Sequence, residues 1–301
     1  MKNILIKKLS ICSILLLITC ISIAQLSINR IDSNLFVTVG LENRKTDFRW
    51  SIAGNSQGKD PNIFSEIIFN PIHSAGIQMG ALYKIYDQFA VDVMYEQQFT
   101  YNGSATDFDY AGDNRTLPTT ELYLKSNKGK QSALNASVLY NLVAGTTLVA
   151  NTGIGYSYAK RLFYLLNDSD PSLQTTYSTS WLGPTISSSI KWQSPWFINL
   201  GADICFSILK YNAKGNWNLI EEFKHPVSFA HTANGSGWNS DFYAEHQFRH
   251  IALSFHWLNS NWRTSAGTDK LYLKNGTIPE TRLNGAFEKS NTWRLSATYS
   301  F

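Results

Sequence analysis

The sequence predicts an all-β protein, specifically a ten-stranded antiparallel transmembrane β-barrel. Three observations predict it: two-residue alternation of apolar side chains, connections that alternate between short and long, and an apolar segment at the N-terminus. Aromatic residues make up 14% of the 301 residues and charged residues 16%. A chain this rich in aromatic side chains does not have the composition of a long disordered protein.

The N-terminal segment, residues 1–24, is predicted to be a signal peptide. It has a basic start, an apolar run over residues 11–23, and small residues before a cleavage point after Ala24. A lipoprotein signal at Cys20 is the alternative, but Thr19 is a poor residue at that junction. Cleavage after Ala24 leaves Cys205 as the single cysteine, so no intramolecular disulfide is expected. Residues 25–33 then form a short periplasmic segment, and residues 34–301 form the barrel.

The alternation defines the strands and their two faces. Apolar residues occupy every second position in residues 35–41, 89–95, 198–206, 251–257 and 293–301. We expect these sets to face lipid, with aromatic girdle residues near the interfaces at Tyr83, Tyr140, Tyr156, Trp192 and Trp293. The positions predicted to face the lumen are polar: Lys84, Asp92, Glu96, Lys191, Asp203, His256 and Arg294. Their mixed charges favour ion pairs that close a narrow lumen, because a selective channel would show a ring of one sign.

The connections give the strand number. Tight turns are predicted near residues 86–87, 143–146, 193–195 and 249–250, and long excursions near 43–61, 101–130, 161–178, 211–240 and 260–282. Nine connections imply ten strands. An even number of strands, with short periplasmic turns and long outer loops, is typical of a barrel in the cell outer membrane.

Four short stretches resemble a known family. They are residues 46–50 (TDFRW), 62–66 (NIFSE), 106–110 (TDFDY) and 177–184 (YSTSWLGP). With the strand count and loop order, they make the mature chain similar to the omptin superfamily of outer-membrane proteases. Residues 62–66 and 109–115 look closer to a branch of omptin-like barrels without an assigned activity. The resemblance implies peptide hydrolysis by a water held between an aspartate pair and a His–Asp dyad on opposite walls of the barrel mouth.

The aspartate pair has candidates in Asp107 and Asp109. Two residues apart in a strand, their side chains emerge on the same face, and close carboxylates raise each other's proton affinity. The alternative interpretation is a solvated acidic loop. The dyad is harder to place, because no Asp-x-His sequence follows Lys210 and Tyr211. Glu221 or Glu222, together with His225, is the substitute candidate.

His231 is a second candidate for the histidine. The resemblance also implies lipopolysaccharide-binding groups on the outer wall, for which Lys160 and Arg161 are candidates, with Tyr158 where an acid is expected. No zinc spacing or phosphate loop is present, and the calcium-loop pattern after Asp107 fails at its later ligand positions, so no metal or cofactor is predicted.

The leading functional prediction is a surface binding or structural barrel with a degenerate protease site. Its expected partners are outer-membrane lipid and lipopolysaccharide, with a peptide or surface ligand at the outer loops. A surface endopeptidase using Asp107, Asp109 and a loop histidine is the alternative, and a narrow solute channel is third. The formal net charge is +4, but three of the 26 basic residues, Lys2, Lys7 and Lys8, lie in the leader. The mature chain is therefore nearly neutral, and no nucleic-acid partner is predicted.

Overall fold

A computed structural model of the chain describes residues 33–195 and 197–301. The predicted signal peptide and most of the segment 25–33 lie outside the described residues. No helix within the described ranges is both long and apolar enough to span a bilayer. The structure has a short 3-10 turn at Asp113–Arg115 and these strands: β1 Leu35–Ile52, β2 Ser65–Tyr86, β3 Phe89–Gly112, β4 Thr116–Lys125, β5 Gly129–Ala144, β6 Leu148–Asn167, β7 Asp170–Trp192, β8 Asn199–Asn216, β9 Phe229–Phe248, β10 Ile251–Thr264, β11 Gly267–Leu271 and β12 Glu280–Ser300.

The twelve strand segments make a ring of ten. β4 and β5 both lie between β3 and β6, and β10 and β11 both lie between β9 and β12. β1 pairs with β2 on one side and with β12 on the other, which closes the antiparallel sheet. The predicted ten-stranded barrel is therefore confirmed. Closure leaves no open edge within lipid, where unpaired backbone groups would be costly.

The start of β1, the C-terminal residue and the tight turns share one end of the barrel. Phe301 donates its backbone N–H to the carbonyl oxygen of Leu35 at 3.0 Å. The turns at 87–88, 145–147, 193–198 and 249–250 lie at this end, each within three residues of its predicted position. Short turns face the periplasm in barrels of this class, so the opposite end points outward from the cell.

The predicted long excursions are mostly strand, which corrects the sequence-based boundaries. β3 continues to Gly112, and β6 and β7 are joined by a turn of only two residues, Asp168 and Ser169. The outward apolar alternation stops earlier, but backbone pairing does not depend on it. Adjacent strands extend together because each satisfies the donors and acceptors of its neighbour. The barrel therefore projects well beyond the lipid.

The two faces of the wall follow the predicted alternation. Val39, Leu253 and Leu295 are exposed on the outer surface, as are all five predicted girdle aromatics. Inside, the Glu96 carboxylate lies 2.7 Å from Arg44 and 2.9 Å from Arg294. Arg294 also lies 2.6 Å from Glu42, so acidic and basic side chains pair inside the lumen as predicted. Lys191 pairs with Glu245.

The lumen is polar on the periplasmic side and aromatic on the outward side. A cavity of about 520 Å³ lies in the polar part, lined by residues that include Asp92, Asp203 and His256. The outward part contains a layer of buried rings from several strands. Its members are Phe48, Trp50, Phe69, Phe163, Tyr177, Trp181, Tyr211, Phe229 and Trp262.

Candidate functional site

The first wall of the candidate site is the outward end of β3. A register shift between β2 and β3 near Tyr101 changes which positions face inward. Below it the buried residues are Glu96 and Gln98, whereas above it they are Ala105 and Asp107. The structure therefore turns Asp107 toward the interior, and Asp109 follows on the same face.

Asp107 lies in an apolar setting. Its cross-strand neighbours are Ile67 on β2 and Leu122 on β4, and its Oδ1 atom has no hydrogen-bond partner. Burial, with a smaller contribution from the nearby Asp109 charge, raises the pKa of Asp107 to about 7. The outward apolar side chains of β3 end at Tyr101, so this carboxyl lies outside the membrane-spanning part of the strand.

The opposite wall carries a buried histidine. β9 lies five positions from β3 in the ring of ten, so the two strands face each other across the interior. His231 on β9 is 0% exposed, and its Nδ1 is hydrogen-bonded to the Tyr177 hydroxyl at 2.7 Å. The Tyr177 hydroxyl is in turn 2.7 Å from that of Tyr211.

The other ring nitrogen of His231 faces an aspartate. Nε2 lies 3.1 Å from Oδ1 of Asp269, although the two atoms are not aligned as a hydrogen bond. Asp269 accepts a 3.0 Å hydrogen bond from the Thr281 hydroxyl. Local sequence offers no signal for this pair, because the pairing of β11 with β9 alone brings Asp269 opposite His231.

The predicted Glu221–His225 dyad is not formed. His225 is exposed in the loop between β8 and β9, where Nδ1 lies 2.8 Å from Asn216 Oδ1 and Nε2 lies 3.2 Å from the Ile220 carbonyl oxygen. Glu221 is also exposed and makes no contact with His225. Both ring nitrogens of His225 therefore lie within hydrogen-bond distance of groups close by in the chain, and the Glu221 carboxylate is not one of these groups.

Aromatic rings stand between the two walls. Trp50 lies in register with Ile67, which is in register with Asp107. The Trp50 ring meets the His231 ring edge-on at a centroid distance of 4.6 Å, and Phe229 lies 5.2 Å from His231. Within residues 33–195 and 197–301, no hydrogen bond or ion pair joins Asp107 or Asp109 to a histidine.

The predicted lipopolysaccharide-binding pair is divided between the two faces of the wall. Lys160 is exposed on the outer surface. Arg161 is 2% exposed and points into the barrel, where it lies 3.1 Å from Glu288 and over the Trp262 ring. Neighbouring residues in a strand face opposite ways, so the expectation that both basic groups share the outer wall is wrong.

A polar clamp at the outward end joins the β3–β4 hairpin to the start of β2 and to the loop before β2. Arg115 donates two hydrogen bonds to the Glu66 carboxylate at 2.7 and 2.9 Å, and the Tyr110 hydroxyl donates a third at 3.0 Å. The side chains of Asn62 and Asn114 are also hydrogen-bonded to each other at 2.9 Å. These contacts bring together the two stretches, residues 62–66 and 109–115, that resemble a branch of omptin-like barrels.

The comparisons with known proteins agree with this architecture. The family model described as Protochlamydia outer membrane protein, Pom, matches residues 37–300. The chain belongs to the Pom family. No curated protein matches it in sequence. As a member of this family, the chain is an outer-membrane β-barrel located in the cell outer membrane.

Solved structures of outer-membrane proteins are similar to the chain at low sequence identity. The outer membrane protease OmpT of Escherichia coli superposes with a TM-score of 0.69 at 12% identity, covering 92% of this chain and 99% of that one. The translocator domain of autotransporter NalP from Neisseria meningitidis has a TM-score of 0.41 at 9% identity, covering 88% of each chain. The outer membrane protein OprG from Pseudomonas aeruginosa gives 0.37 at 8% identity, covering 89% of this chain and 96% of that chain. The superposition on OmpT shows that the Pom chain has an omptin-like fold.

Proposed function

We propose that this Pom-family barrel is a catalytically silent surface protein that binds a partner through its outward end. The observation that supports a catalytically silent barrel is the enclosed environment of His231. It is fully buried, both of its ring nitrogens face partners, and Trp50 lies against its ring. A general base must reach the proton that it removes, directly or through one water, and His231 is enclosed by rings instead.

The outward end has the character of a binding surface. Large apolar side chains are exposed there, including Leu117, Tyr123, Leu219 and Ile278. They lie beyond the lipid band, where lipid does not account for them. Contiguous apolar patches on a soluble surface commonly mark an interaction site, and we infer that these side chains contribute to one.

A surface endopeptidase is the second candidate, supported by one specific observation. Asp107 and Asp109 lie on the strand opposite the one that carries His231, and Asp269 lies 3.1 Å from His231 Nε2. A carboxylate that orients an imidazole, facing an aspartate pair, has the elements needed to activate a water. The aromatic layer would have to open for substrate to enter.

Turnover of quenched-fluorescent peptides by the refolded barrel tests the proposal. We expect wild type to show no turnover above buffer, with or without lipopolysaccharide. Activity that is lost in Asp107→Ala and His231→Ala, but kept in His225→Ala, would instead establish the endopeptidase. Unchanged heat-sensitive gel mobility would show that these variants fold. Catalytic groups act as a unit, so the double variant should then be hardly worse than either single one.

A further inference from the structure

The outer edge of β4 has no neighbouring strand. β4 pairs with β3 from Lys125 to Thr116, but it pairs with β6 only where Lys125 meets Leu166. β6 ends one residue later, whereas β4 continues for nine more positions, which is about 30 Å along an extended strand. Among the described residues, nothing pairs with this part of the edge.

The direction of each backbone group follows from two hydrogen bonds. Tyr110 donates its N–H to the Phe64 carbonyl oxygen at 2.8 Å, on the β2 side of β3. Backbone groups of successive residues point to alternate sides, so those of Asp107 point toward β4 and meet Leu122. Ser126 likewise donates its N–H to the Gly103 carbonyl oxygen on β3.

The same alternation leaves two residues of β4 with outward-pointing backbone groups. Glu121 and Tyr123 direct their N–H and C=O groups away from β3, into open space. Pro118, the positive φ of Leu117 and a register shift between Pro118 and Thr120 interrupt the edge on the side of its tip. Natural proteins commonly block exposed edges with proline, bulges or a covering segment, and none of these lies within the stretch from Glu121 to Tyr123.

The edge is held in place and borders a groove. The hydrogen bonds of Arg115 and Tyr110 to Glu66 tie the β3–β4 hairpin to the start of β2. A groove of about 430 Å³ lies at the foot of the edge, lined by Tyr123, Leu124, Lys125 and residues 166–169 among others. A fixed edge with an adjoining groove is the arrangement that strand-adding domains use to hold a peptide.

The charges beside the edge favour a basic ligand. The Lys125 ammonium is already paired with Asp168. Glu121 is exposed and has no ion-pair partner within the described residues, and the same holds for Asp170 after the 168–169 turn. The side chains of Glu121 and Tyr123 share the outer face of β4, two positions apart. A bound peptide with a basic and an apolar side chain at the same spacing would therefore place them opposite Glu121 and Tyr123.

We propose that the edge of β4 binds an extended peptide by strand addition, with a lysine or arginine beside Glu121 and an apolar residue beside Tyr123. The inference rests on the proposed binding function and names its partner. The backbone groups of Glu121 and Tyr123 supply the hydrogen bonds, and the groove receives a side chain of the added strand.

The test uses the complete barrel refolded in detergent and a short fluorescein-labelled peptide in which lysine and valine alternate with threonine. Tyr123→Pro removes an outward N–H without breaking a bond to β3, whereas the matched control Tyr123→Thr keeps it. Fluorescence anisotropy should give a Kd about tenfold weaker for the proline variant than for the threonine variant, as loss of one hydrogen bond predicts. Both variants should keep heat-sensitive gel mobility.

A second measurement reports the backbone contact directly. Two methylated probes are compared, one carrying N-methyl groups at the odd-numbered residues and the other at the even-numbered residues. One probe should lose binding and the other should keep it, because only one of the two sets of N–H groups faces the edge. Equal Kd values for Tyr123→Pro and Tyr123→Thr, equal effects of the two methylation sets, or no binding by wild type would each overturn the proposal. So would a dimer that Tyr123→Pro dissociates in sedimentation, since the occupant would then be a second copy.

The outcome separates this inference from the proposed function. A probe that binds and is cleaved would refute the catalytically silent role and leave strand addition standing. A probe that stays intact and unbound would refute strand addition and leave the silent role standing.

Discussion

Replacing Asp107 by asparagine should change how the stability of the barrel depends on pH. In the unfolded chain the carboxyl has its ordinary pKa of 3.8, and in the folded barrel burial raises that pKa to about 7. Between these two pH values the unfolded chain has lost the proton and the folded barrel has kept it. The folded state therefore binds more protons, so its free energy of unfolding falls as pH rises.

The magnitude follows from the two pKa values. A tenfold change in proton affinity corresponds to about 1.4 kcal/mol, so a rise in pKa from 3.8 to about 7 predicts a loss of about 4 kcal/mol between pH 4 and pH 8. The amide of the Asp107→Asn variant carries no proton to lose, so the variant should not show this loss. It should match wild type near pH 4 and be more stable by about 4 kcal/mol near pH 8.

Urea unfolding in lipid vesicles, followed by tryptophan fluorescence at several pH values, measures this difference. Asp109→Asn is the control: it removes the smaller cause of the raised pKa, so the pH-dependent loss should shrink but persist. Acidic groups that do not interact with Asp107 contribute equally in wild type and variant, so their contributions cancel in the comparison. An equal fall in stability for wild type and Asp107→Asn would refute the reasoning, because the carboxyl would then be hydrated in the folded barrel.

Two further predictions concern the wall and the lumen. Leu253→Arg, on the lipid-facing side of β10, should lower the free energy of unfolding by about 2–4 kcal/mol in urea titrations. Leu219→Arg in the outer loop should leave this free energy unchanged, and equal effects of the two substitutions would contradict the lipid-facing assignment. Wild type in planar bilayers should conduct little or no current, because Arg44, Glu96 and Arg294 bridge the lumen with contacts of 2.7 and 2.9 Å. Large steady currents would instead support a channel.

Sequence-based prediction succeeds where a local pattern carries the structure. Alternation at Val39, Leu253 and Leu295 predicts the lipid-facing side, and the spacing of the turns predicts ten strands. These features depend on the two-residue period of a strand, which is visible in any short window of the chain. The family resemblance adds the fold, but its Asp-x-His sequence is missing, and the substitute candidate His225 lies in a loop where no dyad forms.

The errors have a common physical origin in strand register and pairing. The resemblance puts Arg161 on the outer wall, but its parity places it inside beside Glu288. The long excursions are predicted to be loops because polar side chains break the apolar pattern there. Backbone pairing nevertheless continues to Gly112 and Asn167. Side-chain polarity reports the surrounding medium, whereas strand length is set by the neighbouring strand.

The sequence by itself determined the all-β class, the strand number, the orientation of the lipid face and the candidate acids Asp107 and Asp109. Only the tertiary structure decided that His231 meets Asp269, that rings fill the space beside them, and that β4 keeps an open edge. Each of these depends on which strand lies beside which, and in what register. Such contacts join residues far apart in the chain, and no local spacing encodes them.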